Sequence, residues 1–294
     1  MAGPMTGWSR GRNAARAFWR RVRRNGTGAP DTFSSTLGPP ALPIESEGSE
    51  AVLAALWARI GGQWSALGRV RPHHSVLVAD DYLPANFAGH TAEFWATGEA
   101  EAGLVEAALA RCGMTRLADK TCTEYGCGVG RVTVPLSRRF AEVYAYEISP
   151  PHLALAEQRA ADGGRNIRFH LCSGGPPGDI AECDFFYSRL VFQHNPPPLI
   201  RRLIGCGLGA LRPGGVAIFG VPTSLPGYRF SVADYLAAPR RAGSEMHCLP
   251  EAEIRALIAQ LRCDVVEVHE ERQPVAGGEC VSHLFIVRRQ QMTA

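Results

Sequence analysis

Residues 122–133 read CTEYGCGVGRVT, in which an acid precedes three glycines at alternate positions: Glu124, Gly126, Gly128 and Gly130. Glycines let the backbone turn sharply after a strand and approach a ligand closely. A dinucleotide fingerprint, Gly-x-Gly-x-x-Gly, needs its third glycine at position 131, where this chain has Arg131. An acid beside the turn repels a pyrophosphate but suits an ammonium group. The stretch therefore predicts a nucleotide-binding turn for a ligand other than a dinucleotide.

The residues after this turn predict alternating strands and helices. Glu142–Glu147 reads as a second strand that ends in an acid, 21 residues beyond Gly126, which is the position of a ribose-binding carboxylate. A turn of sequence LRPGG at 211–215 introduces a later strand. The remaining predicted elements are helices over 151–161, 199–211 and 250–261, and strands over 167–171, 184–188, 216–221, 264–269 and 282–288.

These motifs together resemble the class I S-adenosylmethionine-dependent methyltransferases over about residues 118–289. The Gly-x-Gly-x-Gly turn is similar to their motif I, and the LRPGG turn is similar to the one before their fifth strand. The resemblance implies a Rossmann-like α/β fold with a seven-stranded, mostly parallel sheet of order 3-2-1-4-5-7-6, helices on both faces and a helical N-terminal lid. It implies S-adenosylmethionine as the cofactor.

The resemblance also implies which residues bind the cofactor. Glu124 is expected to orient the loop or, through water, the ligand's ammonium, and Glu147 to hold the ribose. The full set expected from the resemblance is Glu124, Gly126, Cys127, Gly128, Gly130, Glu147, Ile148, Ser188 and, from the lid, Tyr82.

Composition agrees with a soluble catalytic domain. The chain has 294 residues, 46% of them hydrophobic, and no apolar run approaches the length of a membrane span. Its nine cysteines contain no Cys-x-x-Cys pair, which favours a reducing compartment, the cytoplasm, over a disulfide framework or zinc site. No metal-binding cluster is visible in the spacing.

Charge divides the chain unevenly. Residues 1–49 carry seven arginines against three acids, a net charge of +4, so the total of +3 leaves about −1 for the remainder. A nearly neutral catalytic domain lacks the basic surface that nucleic-acid binding requires. We expect 1–49 to be a basic, disordered arm and linker; a short interfacial helix on anionic lipid is the alternative.

Residues 50–117 are predicted to be the helical lid and 118–294 the catalytic domain. Apolar residues from Val52 to Trp64 fall on one helical face, and two further helices are predicted over 86–97 and 101–112. By analogy with class I enzymes, Tyr82 and His90 of this segment are candidates to line the site. Packing under the lid for Tyr82, and an exposed position for His90, are equally compatible with the sequence.

The acceptor should bind after the fourth strand, because open α/β sheets bind ligands at the carboxyl ends of their strands. The candidates there are Arg189, Gln193 and His194, and Gln193-His194 is similar to a pair found in many small-molecule class I enzymes. Histidine suits the removal of a proton near neutrality, so His194 is the leading candidate for a general base. The alternative is that His194 only bonds to backbone or cofactor. The run Asn195-Pro-Pro is out of register with the Asn-Pro-Pro-Tyr motif of amine and amide methyltransferases.

An insertion over 222–249 is longer than an ordinary loop and is expected to help build the acceptor pocket. Tyr228, Arg229 and Tyr235 are candidates to bind the acceptor, and Glu245 and His247 to replace His194 as the base. An ordinary surface excursion is the alternative reading. The runs QHNPPP at 193–198 and EMH at 245–247 are similar to those of a group of bacterial small-molecule and sugar methyltransferases.

The sequence predicts methyl transfer to a small polar acceptor, most simply to a hydroxyl of a metabolite or sugar. An N- or S-methyltransferase of an amino-acid-like molecule is the nearest alternative, and it would depend less on His194. Two others are an enzyme that cleaves S-adenosylmethionine to methylthioadenosine and a non-catalytic module that has kept the sheet.

Overall fold

The computed structural model describes residues 44–161, 163–164, 166–175, 180–239, 243–275 and 277–291. Most of the predicted basic arm lies outside the described residues. The seven strands form one sheet in the order β3-β2-β1-β4-β5-β7-β6, as predicted. Their bounds are β1 Thr121–Tyr125, β2 Glu142–Glu147, β3 Ile167–Leu171, β4 Cys183–Ser188, β5 Leu211–Ser224, β6 Cys263–Val275 and β7 Gly278–Arg289.

Strands β1 to β5 pair in parallel, and β7 runs antiparallel between β5 and β6. The parallel strands β1 and β4 are almost wholly buried, as expected for a sheet that is covered on both faces. Cys122, for example, pairs with Val143 on one side and with Phe185 on the other. The carboxyl ends of β1, β2 and β4 therefore lie together at one edge of the sheet.

Eight α-helices surround this sheet in the described residues. They are α1 Glu50–Val70, α2 Pro72–Val76, α3 Phe87–Arg111, α4 Thr133–Ser137, α5 Pro150–Ala160, α6 Pro197–Gly209, α7 Val232–Ala237 and α8 Glu251–Gln260. Ser49 caps α1 by accepting from the amide of Val52 at 3.4 Å. No helix of the described residues is long and apolar enough to cross a membrane.

The prediction of two helices over 86–97 and 101–112 is wrong, because α3 runs through both without a break. Its Gly98 lies against the nucleotide turn: a Cβ on this residue would lie 1.9 Å from the carbonyl oxygen of Arg131. Gly98 therefore allows a close approach of two backbones and does not end the helix.

The N-terminal helices share the core of the sheet. Leu53, Leu56 and Trp57 of α1 pack in one cluster with Phe192 and Phe219, on one face of the sheet. Residues of α3 pack in a second cluster with Phe185 and Tyr187, on the other face: Ala102, Val105, Ala108 and Leu109. Helices thus cover both faces as predicted, whereas the boundary between lid and catalytic domain at 117/118 stays a prediction.

Candidate active site

A cavity lies at the carboxyl ends of β1, β2 and β4. Its wall includes the predicted cofactor residues Glu124, Gly126, Cys127, Gly128, Glu147 and Ile148. The N-terminal helices close it from outside with Ile60, Trp64, Ser75, Val76 and Glu101, and the segment after β4 adds Arg189, Leu190, Val191 and Asn195. The cavity is placed where ligands bind in open α/β sheets.

The glycine turn needs its glycines for two separate reasons. The φ angles of Gly126, Gly128 and Gly130 are +79°, +56° and +80°, a region that residues with a Cβ rarely adopt. A Cβ on Gly126 would also lie 2.3 Å from Val191 Cγ2, and one on Gly128 would lie 2.8 Å from Val76 Cγ2. The turn is therefore shaped so that backbone, rather than side chains, faces the cavity.

Gly130 acts differently, since it does not line the cavity. A Cβ there would lie 3.2 Å from the Cα of Ala156 in α5. This glycine allows the turn to pack closely on the following helix, which is the role of the last glycine in related fingerprints.

Glu147 is bound to the backbone of the turn that it faces. Its Oε2 accepts from the amide of Gly128 at 2.8 Å, and its Oε1 accepts from the amides of Ile148 and Ser149, each at 2.9 Å. Burial raises the pKa of Glu147, and the three amide donors oppose this rise. Because each carboxylate oxygen can accept more than one hydrogen bond, Oε2 keeps the capacity to accept from a ribose hydroxyl.

Glu124 is buried, and its Oε2 has no hydrogen-bond partner among the described residues. Burial raises its pKa to about 8, against the opposing effects of Thr133 and Arg131. Glu124 is nevertheless part of the cavity wall, where a carboxyl group suits a positively charged ligand group. Glu124 and the glycine turn therefore fit the ammonium and methionine moiety of S-adenosylmethionine.

A buried ionic network, which the sequence analysis did not anticipate, forms another part of the wall. Glu101 of α3 accepts from Arg131 Nη2 at 2.8 Å, lies 3.3 Å from Arg189 Nη1 and accepts from the hydroxyl of Tyr187. Burial by itself raises the pKa of Glu101. The guanidinium groups of Arg131 and Arg189 have the larger combined effect and lower this pKa to about 2. Glu101 is thus a fixed negative charge that joins α3 to the ends of β1 and β4.

Trp64 contacts both a residue of the cavity wall and a residue of a second polar cluster. Its ring centroid lies 6.0 Å from that of His152, which lines the cavity, and 5.1 Å from that of His194 in the second cluster. His152 is held between the hydroxyl oxygens of Ser149 and Ser75 at 2.7 and 2.8 Å, and burial lowers its pKa to about 4. His152 is therefore a neutral structural link between α5 and α2.

The second cluster contains the three residues that the sequence predicted as candidate bases. His194 Nδ1 lies 2.8 Å from the carbonyl oxygen of Glu245, which can only accept, so Nδ1 carries the proton and Nε2 the lone pair. Burial lowers the pKa of His194. His247 is anchored to the same segment, because its amide donates to the carbonyl of Gln193 at 2.7 Å. The insertion thus folds onto the residues after β4.

Two tyrosines of the insertion complete this cluster. The hydroxyl of Tyr235 donates to Glu245 Oε2 at 2.6 Å, and that of Tyr228 lies 2.8 Å from His247 Nδ1. His247, whose Nε2 lies 3.6 Å from Glu245 Oε2, and then Tyr235 lower the pKa of Glu245 to about 2. Glu245 is therefore a poor proton acceptor near neutrality, which disfavours it as the alternative base.

The other candidates lie elsewhere. Tyr82 packs against Phe94, with 5.0 Å between the ring centroids, so the expectation that it lines the site is not met in this structure. His90 is on the surface near Asp81 and Glu93, outside the cavity wall, and Arg229 is exposed. Ser188 is buried and donates to the carbonyl of Tyr125 at 3.0 Å rather than lining the cavity. Gln193 is half-buried beside the second cluster.

Residues 123–215 match a family model described as a methyltransferase domain. This segment holds the glycine turn, Glu147 and the residues after β4. No curated protein sequence matches the chain.

Many solved structures share the fold. Magnesium protoporphyrin IX methyltransferase from Synechocystis PCC 6803 with bound S-adenosylhomocysteine is 20% identical, with a TM-score of 0.48, over 66% of this chain and 84% of that one. A putative sarcosine dimethylglycine methyltransferase from Galdieria sulphuraria is 15% identical, with a TM-score of 0.49, over 65% and 85%. TehB from Haemophilus influenzae is 16% identical, with a TM-score of 0.46, over 59% and 58%.

Proposed function

We propose that this chain, which belongs to the class I S-adenosylmethionine-dependent methyltransferases, transfers the methyl group to a hydroxyl of a small polar acceptor. His194 is the general base in this proposal. The observation that carries it is the hydrogen bond from His194 Nδ1 to the carbonyl of Glu245 at 2.8 Å. That bond fixes the tautomer in which Nε2 can receive a proton.

The position of His194 supports this role. Its neighbour Asn195 and the nearby Val191 line the cavity, so His194 stands at most one residue behind the wall. Trp64 contacts His194 and also lines the cavity. In this proposal the acceptor hydroxyl binds at His194 Nε2, and the neighbouring polar groups of Tyr228, Tyr235 and Glu245 help to bind the acceptor.

The chemistry is an in-line displacement at the methyl carbon. Bound S-adenosylmethionine supplies an electrophilic methyl group on a sulfonium. His194 Nε2 would take the proton that the acceptor hydroxyl loses on methylation, and S-adenosylhomocysteine would be the other product. The wall residues hold the two reactants in line, and such positioning contributes a large part of the rate. Glu124 and Glu147 would hold the ammonium and ribose of the cofactor.

The first experiment identifies the reaction. The purified protein is incubated with S-adenosylmethionine and a panel of sugars, hydroxy acids and amino acids, and the products are identified by mass spectrometry. We expect S-adenosylhomocysteine and an O-methylated acceptor. Methylthioadenosine as the product would instead support the alternative of cyclisation or aminocarboxypropyl transfer.

The second experiment tests the base. With a methylated hydroxyl acceptor in hand, His194→Ala should lower kcat by about 10²- to 10⁴-fold, the usual contribution of general base catalysis. The Kd for S-adenosylhomocysteine should stay within about threefold of the wild-type value. His90→Ala, which alters an exposed histidine outside the cavity, is the matched control. Turnover of His194→Ala close to that of the control would favour the N- or S-methyltransferase alternative, in which less proton removal is needed.

A further inference from the structure

A second pocket, of about 300 Å³, lies between α3, α4 and α5, outside the wall that holds the glycine turn. We call it the arginine pocket, because Arg131, Arg138 and Arg159 line it together with Glu99, Trp95, Ala96 and Pro135. Arg131 also belongs to the wall of the cofactor cavity, so the two spaces are neighbours. Nothing in the proposed methyl transfer uses the arginine pocket.

Arg159 is held in place by an aromatic ring. Its guanidinium carbon lies 4.7 Å from the centroid of Trp95, a distance typical of a cation–π contact. The Nε of Arg159 is nevertheless buried without a hydrogen-bond partner among the described residues. The ring thus fixes the guanidinium group but leaves one of its donors unsatisfied.

Arg131 shows the same feature. It is 6% exposed, its Nη2 donates to Glu101 at 2.8 Å and its Nη1 donates to Thr97 at 3.3 Å. Its Nε is buried and lacks a partner in the described part of the chain. Both Nε atoms are fully buried, so an occupant of the arginine pocket can be reached only by the terminal Nη groups of the two arginines.

The charges around the arginine pocket also favour an anion. Arg131 is paired with Glu101 at 2.8 Å, and Glu99, the acid in the pocket wall, is shared between Arg138 at 3.3 Å and Arg139 at 2.6 Å, so Arg159 has no acidic partner among the described residues. Guanidinium groups bind phosphate and carboxylate oxygens with well-defined geometry.

We propose that the arginine pocket binds the anionic end of a small metabolite, a phosphate or carboxylate group. Its oxygens accept from Arg131 and Arg159, and Arg138 closes the site at the rim, where its side chain is 56% exposed. The pocket is larger than a bare ion, so it has room for the remainder of the molecule. This site is separate from the methyl-transfer site and does not depend on which acceptor is methylated.

The test uses protein saturated with S-adenosylhomocysteine, so that the cofactor cavity is filled. Inorganic phosphate and citrate are titrated at constant ionic strength set with sodium chloride, and the Tm and the Kd from calorimetry are measured. We expect at least one of the two anions to bind with a millimolar Kd and to raise the Tm by about 2 to 4 °C at ten times that Kd. Stabilisation by phosphate alone or by citrate alone assigns the group as phosphate or carboxylate.

Two variants make the assignment specific. Arg159→Gln and Arg138→Gln should each weaken anion binding at least tenfold, and the second alters an exposed rim residue that does not endanger folding. Arg116→Gln, at an arginine that is 85% exposed and paired with Asp119, should bind as the wild type does. Equal binding by all three variants, or no binding of either anion to the saturated wild type, would overturn the proposal. Binding only in the absence of S-adenosylhomocysteine would also overturn it, because the anion would then occupy the cofactor cavity.

Discussion

Glu124 is a candidate cofactor-binding residue whose burial is expected to reduce the stability of the cofactor-free protein. Its carboxyl group is buried with an unpaired Oε2, and burial raises its pKa to about 8 from an ordinary value of 4.5. Between these two values the folded protein keeps a proton that the unfolded chain has released. Stability must therefore fall as the pH rises through this range, by about 1.4 kcal/mol per unit for one such proton.

We expect this slope in the free energy of unfolding of the cofactor-free protein. Between pH 5.5 and 7.5, the free energy of unfolding of the wild type should fall by about 2 kcal/mol more than that of Glu124→Gln. The glutamine resembles the protonated acid and cannot ionise. Urea unfolding at several pH values measures the difference, since all other titrating groups are common to both proteins. Parallel pH profiles of the two proteins would mean that Glu124 is ionised in the folded state. With S-adenosylhomocysteine bound, the wild-type loss should shrink, because the ligand's ammonium favours the carboxylate.

At the residue scale, the sequence predicts well those positions whose backbone is constrained. The sequence predicts the turn at Gly126 and Gly128, because only glycine fits the positive φ angles and the close neighbours of these two positions. The sequence predicts a ribose-binding carboxylate at Glu147, because this residue ends a strand at a fixed distance from the turn. Glu101 was not predicted, since its partner Arg189 lies 88 positions later and meets it only in the folded chain. No local pattern marks such a pair.

At the element scale, α3 contains two glycines at which substitution by alanine should have opposite effects on stability. A Cβ on Gly98 would lie 1.9 Å from the carbonyl oxygen of Arg131, whereas a Cβ on Gly103 would meet nothing within 4 Å. Both residues are inside the same helix, where alanine is otherwise favoured over glycine by about 0.5 to 1 kcal/mol.

Gly98→Ala should therefore destabilise the protein by at least about 2 kcal/mol, because helix and turn must move apart. It should also weaken S-adenosylhomocysteine binding, because the displaced turn lines the cavity. Gly103→Ala should be neutral or slightly stabilising and should leave binding unchanged. Thermal unfolding and calorimetric titration of the two variants give both readouts. Equal stability of Gly98→Ala and Gly103→Ala would show that α3 does not press on the turn.

The same glycine explains why one helix was predicted as two. Gly98 lowers helix propensity, and the sequence provides no sign of the backbone that approaches it. By contrast, the predicted bounds of β2 and β3 match the structure, although β2 is mostly buried and β3 is an edge strand without a buried residue. Strand positions can thus be predicted from the local sequence pattern. The continuity of α3 at Gly98, in contrast, depends on a tertiary contact that the local sequence does not reveal.

At the scale of the whole molecule, the strand order was expected only from the resemblance to class I methyltransferases, which rests on the glycine turn and the later motifs. The docking of the N-terminal helices does not follow in this way. It depends on contacts such as the hydrogen bond from Trp57 Nε1 to the carbonyl of Cys172 at 3.0 Å. The sequence identifies His194, Glu245 and His247 as candidate bases, but it does not predict that they lie in one cluster. No local sequence pattern indicates which part of the protein the insertion packs against.

The ionic network of Glu101 decides whether the N-terminal helices and the sheet unfold together. Glu101 is on α3, whereas Arg131 and Arg189 follow β1 and β4. Removing one charge from a buried network leaves its partners uncompensated, which typically costs about 3 to 5 kcal/mol. Glu101→Gln should therefore lower the free energy of unfolding by about 3 kcal/mol or more at pH 7. Glu106→Gln, which disrupts an exposed pair with Arg139, should cost less than about 1 kcal/mol.

The pH dependence separates an ionic effect from simple loss of packing. The pKa of Glu101 lies at about 2 in the folded protein, below its ordinary value of 4.5, so its charge stabilises the fold above that value. The difference in free energy of unfolding between wild type and Glu101→Gln should shrink as the pH falls from 4.5 towards 2. Urea unfolding across this range measures that difference. A constant difference between the two proteins would assign the effect to packing. A second unfolding transition in Glu101→Gln alone would show that this network makes the helices and the sheet a single cooperative unit.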